Sequence, residues 1–265
     1  MISVIIIAKN EEEMIKDCLE SVDWAEEIIL VDTGSKDKTL AEAQKICPKI
    51  KIVKTDKGSF SDWRNLGFKK AKENWILYLD ADERVSVGLK KEILSIVGNQ
   101  RSAVSALQIS RKNFYFDKQV KYGGSWPDYV IRLFKRKNFV SWQGIIHESP
   151  QFKGKLGTLK NPFIHFTHRN LTSSLDKSSK WTYLEAKLFY KAHHPPVTWW
   201  RLIKVGLQEF FKRCFWLGGY KDGFVGIVEA YVQAINRVMV YVYLWEMQQK
   251  PPLKEKLKKI EAAIK

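Results

Sequence analysis

Four short apolar runs, each separated from the next by a stretch of helical character, leave this chain few folds to choose from. Residues 4–8, 26–32, 50–54 and 75–79 have strand length and composition, and residues 10–22, 39–46 and 62–73 lie between them. The first helical stretch opens with Asn10 and three glutamates, which suit a helix N-terminus, and Thr39 with Glu42 has the spacing of a capping box. Strands that alternate with helices pair in parallel through right-handed crossovers, so the expected class is α/β with a doubly wound, mostly parallel sheet. Such a sheet binds ligands beyond the carboxyl ends of its strands. Three of the four runs end there in polar groups: Lys9-Asn10-Glu11, Asp32, and the pair Asp80 and Asp82.

The fourth run, Trp75-Ile76-Leu77-Tyr78-Leu79, stops abruptly at Asp80-Ala81-Asp82-Glu83. In extended backbone, residues two apart face the same side, so Asp80 and Asp82 are expected to share one pocket. Two carboxylates that close repel unless neutralised, and a divalent cation holding phosphate oxygens resolves the repulsion. The same three residues in isolation also begin surface turns. Asp32 leads into Thr33-Gly34-Ser35, and its carboxylate serves either a nucleotide base or the turn itself. The chain has no G-x-G-x-x-G and no G-x-x-x-x-G-K-[ST], which disfavours a dinucleotide-dependent dehydrogenase and a P-loop enzyme. Phosphates are then left to a metal and to basic side chains.

Composition adds a location. The net charge of +16 is uneven: residues 151–265 hold 20 Lys and Arg against 8 Asp and Glu, and residues 1–150 hold 25 against 21. That excess points to an anionic surface, and Trp181, Trp199, Trp200, Trp216 and Trp245 in the same half tilt the expectation toward a membrane interface. Three cysteines without C-x-x-C spacing fit a reducing compartment, not a disulfide scaffold. Residues 1–8 lack the basic flank of a signal peptide and read as a first strand. Strands are expected at 104–110, 113–116, 129–134 and 163–167, and helices at 174–192, 197–217 and 221–249, with a Lys-rich terminal helix after Pro251-Pro252. Residues 224–247 are long enough to cross a bilayer, but Glu229 and Arg237 make crossing close to neutral, and peripheral attachment is expected.

In order and spacing, Ile5-Ile6-Ile7-Ala8-Lys9-Asn10-Glu11, Val31-Asp32-Thr33-Gly34-Ser35-Lys36-Asp37-Lys38-Thr39 and Leu79-Asp80-Ala81-Asp82-Glu83 resemble the family-2 glycosyltransferases, which have the GT-A fold. Trp126-Pro127-Asp128, Arg132–Arg136, Gly144-Ile145-Ile146-His147-Glu148 and Gly219–Gly226 resemble the branch of lipopolysaccharide inner-core glucosyltransferases. The resemblance implies a catalytic domain over 1–170 and a basic helical, membrane-associating or acceptor region over 171–265. It implies that Asn10, Glu11 and Asp32 surround the base and ribose, and that Asp80 lies by the ribose and metal. Asp82 would ligate Mg²⁺ or Mn²⁺ on the donor diphosphate. Arg64, in Arg64-Asn65-x-Gly67, matches a recurring element that contacts donor phosphate or base, or else is a solvated helix charge.

An inverting transfer also needs a general base, and the Glu-Asp pair that many relatives use is missing here. Asp128 and Glu148 are the candidates. His147 completes the metal shell, touches phosphate, or is structural. Arg132 and Arg136 are candidate phosphate ligands, with Arg132 expected on one strand face with Val130 and Phe134. The expected activity is transfer of a hexose, glucose first, from a nucleotide-diphosphate sugar such as UDP-glucose. The expected acceptor is an anionic glycolipid such as lipopolysaccharide core, on the cytoplasmic face of a bacterial inner membrane. A peptide or capsule acceptor is the alternative within the same chemistry. A basic RNA-binding protein is the alternative outside it, disfavoured because RNA gives no reason for carboxylates at strand ends.

Overall fold

The computed structural model describes residues 1–99, 103–144 and 148–264. It divides into two compact units, residues 1–114 with 126–167, and residues 115–125 with 168–265.

In the first unit, β1 (Ile2–Ala8) leads through α1 (Ile15–Glu20) to β2 (Glu27–Asp32), then α2 (Thr39–Ile46), β3 (Lys51–Lys54), α3 (Phe60–Lys70) and β4 (Trp75–Asp80). β1 pairs in parallel with both β2 and β4, and β2 with β3. After β4 come β5 (Glu83–Val85), α4 (Val87–Gly98) and the long β6 (Val104–Tyr115). The sequence reading missed α4, whose N-cap Ser86 accepts from Leu89 N, and split β6 in two. A short β7 (Lys118–Gln119) precedes β8 (Asp128–Lys135), β9 (Phe139–Gln143), β10 (Ser149–Phe152), β11 (Lys155–Thr158) and β12 (Phe163–His168). The sheet order is β3-β2-β1-β4-β8-β6-β12-β5. β8 joins β4 and β6 antiparallel, so a parallel half is extended by a mixed half.

The central parallel strands β1, β2 and β4 are mostly apolar because both of their faces are covered. On β1, Val4 and Ile6 pack into one core with Leu30, Leu77, Leu79 and Leu89, while Ile5 and Ile7 pack into a second with Ile29, Ile76, Tyr78 and Phe134. α3 starts at a capping box between Ser59 and Asp62. It can lie this close to the sheet because residue 67 is glycine: a Cβ there would stand 2.4 Å from Ile5 Cγ2 and 3.2 Å from Val31 Cγ2. The recurring Arg64-Asn65-x-Gly67 element thus has a packing component, with Gly67 seating the helix that carries Arg64.

The second unit is helical: α5 (Leu171–Lys191), α6 (Trp199–Phe211) continuing into a π-helical turn at Lys212–Trp216, α7 (Gly223–Met247) and α8 (Leu253–Ile264). Residues 115–125 belong with it and not with the first unit, a departure from a simple boundary at 170. Asp222 explains why: its Oδ2 accepts from Lys121 N at 2.9 Å and Tyr122 N at 2.7 Å, and its carbonyl from Lys118 Nζ at 2.6 Å. Gly226 lets the start of α7 close on the same turn, since a Cβ would meet the Gly219 carbonyl oxygen at 2.0 Å. The Gly219–Gly226 motif therefore has a structural job.

Gly67→Ala should destabilise the protein by about 1–3 kcal/mol through overpacking against Ile5 and Val31. Gly98→Ala at the end of α4, where a Cβ meets nothing within 4 Å, should change stability by less than about 1 kcal/mol. Thermal unfolding of the two variants beside the parent measures both, and an unaffected Gly67→Ala would refute the close-approach account.

Candidate active site

Strand register brings the sequence motifs to one edge. Ala8 lies opposite Asp32, and Ile7 opposite Asp80, so the carboxyl ends of β1, β2 and β4 finish level. The two loops beyond β1 and β2 are latched together. Asn10, at φ +55°, accepts from Lys36 N at 2.7 Å and gives its own N–H to Ser35 Oγ. Glu12 accepts from Lys38 N at 2.9 Å, and Glu11 N donates to Thr39 Oγ1 at 2.8 Å. Asp32 is 3% exposed, and its Oδ1 accepts from Ser35 N at 3.1 Å, which is turn chemistry. The expected capping box does not form. Thr39 faces Glu11 and Asp37, and Asp37 Oδ1 accepts from Thr39 N at 3.0 Å.

Asp80 ends β4 between two arginines. Arg132 Nη2 donates to its Oδ2 at 2.7 Å and Arg64 Nη2 to its Oδ1 at 2.9 Å. Burial alone would raise its pKa, but the attraction of Arg132 and then Arg64 outweighs it and holds the carboxyl below the usual range. Arg64, 3% exposed, also pairs through Nη1 with Glu148, and lies over the Trp142 ring with Cζ 4.8 Å from its centroid. Its charge survives burial because Asp80 and Glu148 more than compensate. Arg132 shares the same indole at 5.7 Å. For Arg132, burial and then repulsion from Arg64 press the guanidinium pKa down. Strict alternation along β8 fails at this residue. Gln108 faces Ile131 while Leu107 faces Leu133, so Arg132 is the extra residue of a bulge, and Val130 and Phe134 pack into different cores.

Asp82 does not continue the strand. Ala81 and Asp82 form a turn before β5, and Asp82 joins a second network that the sequence reading missed. His165 Nε2 lies 3.6 Å from Asp82 Oδ1, and His165 Nδ1 is 2.7 Å from Asn113 Oδ1. Asn113 Nδ2 donates to Asp128 Oδ2 at 3.1 Å, and the same oxygen accepts from Arg111 Nη2 and Nε at 2.7 and 2.9 Å. Arg111 Nη1 approaches Glu83 Oε1 at 3.6 Å, and Glu83 Oε2 accepts from Asp80 N at 3.0 Å, which joins the two networks. Burial first, and repulsion from Asp80 second, raise the Glu83 pKa and favour its neutral form.

Among the sequence candidates, Asp80, Asp82, Asp128, Arg64, Arg132 and Glu148 belong to these two networks. Arg136 does not. Its backbone N–H donates to Asn74 O and its guanidinium lies over Phe68, at the opposite end of β4 from Asp80, because antiparallel pairing sets Lys135 against Trp75. The phosphate role expected for Arg136 is therefore corrected. His147 lies outside the described residues. The missed members, Arg111, Asn113, Trp142 and His165, are polar or aromatic residues inside strands; Arg111 and Asn113 at i, i+2 on apolar β6 were the available signal.

The donor set suits a cation. Three guanidiniums, Arg64, Arg111 and Arg132, stand against Asp80, Asp82, Asp128 and Glu148, with Glu83 pushed toward neutrality. The Asn113 amide, oriented by Asp128, assigns the proton of a neutral His165 to Nδ1. The Nε2 lone pair then faces a carboxylate oxygen, a pair of donors that a divalent ion can share. Both oxygens of Asp80 are engaged by arginine, and Asp82 and His165 are the carboxylate and imidazole that lie together at this edge. Among the described residues no cluster of three or more His, Cys, Asp or Glu is placed to hold a metal ion by itself.

Comparison with known proteins gives the same direction. The model of "Glycosyl transferase family 2" matches residues 3–154, more than half of the chain. Over 258 residues the chain is 27% identical to an uncharacterized glycosyltransferase of Rickettsia bellii, covering 93% of this chain and 86% of that one. It is 25% identical to the lipopolysaccharide core biosynthesis glycosyltransferase LpsC of Rhizobium meliloti over 92% of both chains. Among solved structures, S. aureus TarS 1–349 in complex with UDP-GlcNAc is similar at a TM-score of 0.46 and 14% identity, over 95% of this chain and 92% of that one. The family match over residues 3–154, which include the carboxylate-bearing ends of β2 and β4, makes this chain a member of glycosyl transferase family 2.

Proposed function

We propose that the protein is an inverting, metal-dependent transferase that moves a hexose, glucose in this reading, from UDP-glucose to a sugar hydroxyl of a lipid-linked glycan such as lipopolysaccharide core. The observation that carries it is the edge itself, where Asp82 with His165 and Arg64 with Arg132 meet around Asp80. The similarity to LpsC along nearly the whole chain supports the acceptor class, as does the basic half of the sequence, which complements phosphate and carboxylate. An acceptor of this kind places the enzyme on the cytoplasmic face of a bacterial inner membrane.

In this reading the latched loops carrying Asn10, Glu11 and Asp32 border the nucleoside. Arg64 and Arg132 present guanidinium N–H groups to the diphosphate; each has an Nε that is buried without a hydrogen-bond partner. Asp82 and His165 would hold Mg²⁺ or Mn²⁺, and the chemistry such an ion would supply there is neutralisation of charge on the departing diphosphate. Asn113 and Asp128 keep His165 in the tautomer that offers Nε2. That assigns Asp128 to positioning, its Oδ2 taken by three N–H donors. Glu148 is left as the base. Its partner is Arg64, the group that a diphosphate attracts, so donor binding frees a carboxylate to take the proton of the acceptor hydroxyl.

Titration of the parent with UDP should show affinity that rises with Mn²⁺. Asp82→Ala and His165→Ala should each remove the Mn²⁺-dependent part, and Asn113→Ala should weaken it by about 10–100-fold. UDP affinity indifferent to Mn²⁺ in the parent would end the metal assignment. Turnover separates the carboxylates: Glu148→Gln should lower kcat by about 10²–10⁴-fold with UDP affinity nearly intact. Asp128→Asn should instead weaken Mn²⁺ dependence while retaining measurable turnover. The reverse pattern would transfer the role of base to Asp128.

A further inference from the structure

The helical unit carries an exposed apolar ridge that its own packing leaves uncovered. Along α6 and the π-helical turn, Trp200, Ile203, Leu207, Phe211 and Phe215 recur at intervals of three or four residues and form one row. Trp200 is 60% exposed, Leu207 53%, and Phe211 and Phe215 54% each; Trp216, next to the row, is 89% exposed. Cys214 is buried and Phe210 packs against Tyr231 of α7, ring centroids 4.4 Å apart, so neither belongs to the outward row. The rings of the ridge touch one another: Trp199 and Trp200 are T-shaped at 5.5 Å, and Phe211 and Phe215 stack at 5.6 Å.

Lys204 and Lys212, both exposed, run beside the row at matching helical positions, with Gln208 between them. An open cleft of about 1050 Å³ adjoins its end, lined by Phe211, Phe215 and Trp216 with Lys212, Arg237 and Glu209, the last paired with Arg213. Aromatic side chains flanked by cations on one helix face match the chemistry of an anionic bilayer surface, where indole rings settle at headgroup depth and lysines meet lipid phosphate.

We propose that α6 and its π-helical extension form a membrane-docking surface that inserts Trp200, Phe211, Phe215 and Trp216 into the headgroup region of an anionic bilayer, with Lys204 and Lys212 on lipid phosphate. The apolar α7 has the length and composition of a spanning helix. It has other work. α7 is packed by α5 and α6, its Arg237 pairs with Glu185 of α5 at 2.9 Å, and its buried Glu229 accepts from Gln233. The attachment is in the plane of the surface, by α6. It deepens the membrane-held acceptor reading, but vesicle binding and sugar transfer are measured separately, so either can fail alone.

The full chain should co-sediment with phosphatidylcholine vesicles containing phosphatidylglycerol, and much less with phosphatidylcholine alone. Raising salt from about 0.1 M to about 1 M, which shortens screening from about 10 Å to about 3 Å, should release a large part of it. The triple variant Trp200→Ser, Phe211→Ser, Phe215→Ser and the double variant Lys204→Glu, Lys212→Glu should each lower partitioning at least about tenfold. Both alter exposed positions, and circular dichroism should show the parent helix content. A parent that stays in the supernatant with anionic vesicles would overturn the proposal. So would a parent dimer that the serine variant converts to monomer, because the ridge would then be covered by a second copy.

Discussion

A carboxylate at the end of a strand buried on both faces must be compensated, and Asp80 is the group around which this fold arranges compensation. Its side chain is 26% exposed, and two guanidiniums, themselves almost fully buried, neutralise it. Removing one partner from such a cluster leaves an uncompensated charge, which is far more costly than the cluster is stabilising. Each arginine depends on a distinct structural device. Arg64 reaches the edge because Gly67 lets α3 settle on β1 and β2, and Arg132 because a bulge releases it from the alternation of β8. Trp142 lies under both cations, and its indole restricts their rotation while it excludes water.

The second network divides the labour. The Asp80 carboxylate is held by ion pairs, whereas the line Asp82–His165–Asn113–Asp128–Arg111 mixes charge with directional amide and imidazole hydrogen bonds. Ion pairs fix charge balance but tolerate rotation; the amide fixes which imidazole nitrogen offers a lone pair. Glu83 sits between the networks, held toward its neutral form by burial and by Asp80, while its Oε2 accepts the Asp80 N–H. A further full negative charge there would compete with Asp80 for Arg111 and Arg132. The acid following Asp80 and Asp82 in sequence thus serves a different purpose from the two before it.

The parallel half of the sheet was legible because its apolar runs agree with the final packing, although α1 starts at Ile15 and not at the expected Asn10. β1 to β4 begin and end within a residue or two of the runs that announced them. The polar ends of three strands were legible as a common edge for the same reason, since parallel pairing brings like ends together. What pattern reading lost was set by longer-range contacts. The bulge at Arg132 follows from pairing with β6, a partner that the local sequence does not reveal. His165 and Asn113 lie 52 residues apart and look like ordinary strand polars until the sheet sets them side by side. Thr39 had the spacing of a capping box, yet the loop after β1 claimed its hydroxyl, a tertiary contact outweighing a local preference. Gly219–Gly226 carried a functional look by resemblance, and Asp222 shows it gripping residues 115–125.

In the proposed reading, the arginines that neutralise Asp80 and Glu148 set a condition on the donor. Arg64 cannot give its N–H groups to a diphosphate without loosening its hold on Glu148 or Asp80, so donor binding has to replace interactions and not merely add them. A ligand carrying two adjacent anionic groups can repay that exchange with several charge-assisted hydrogen bonds at once, whereas a neutral sugar or a single carboxylate cannot. In the proposed mechanism, selectivity for a diphosphate would arise partly from the cost of opening the ion pairs. The same exchange would order events: Glu148 is paired with Arg64, and would become a proton acceptor once a diphosphate had taken its place on the guanidinium. An enzyme working this way would keep its base occupied until there was a leaving group to expel.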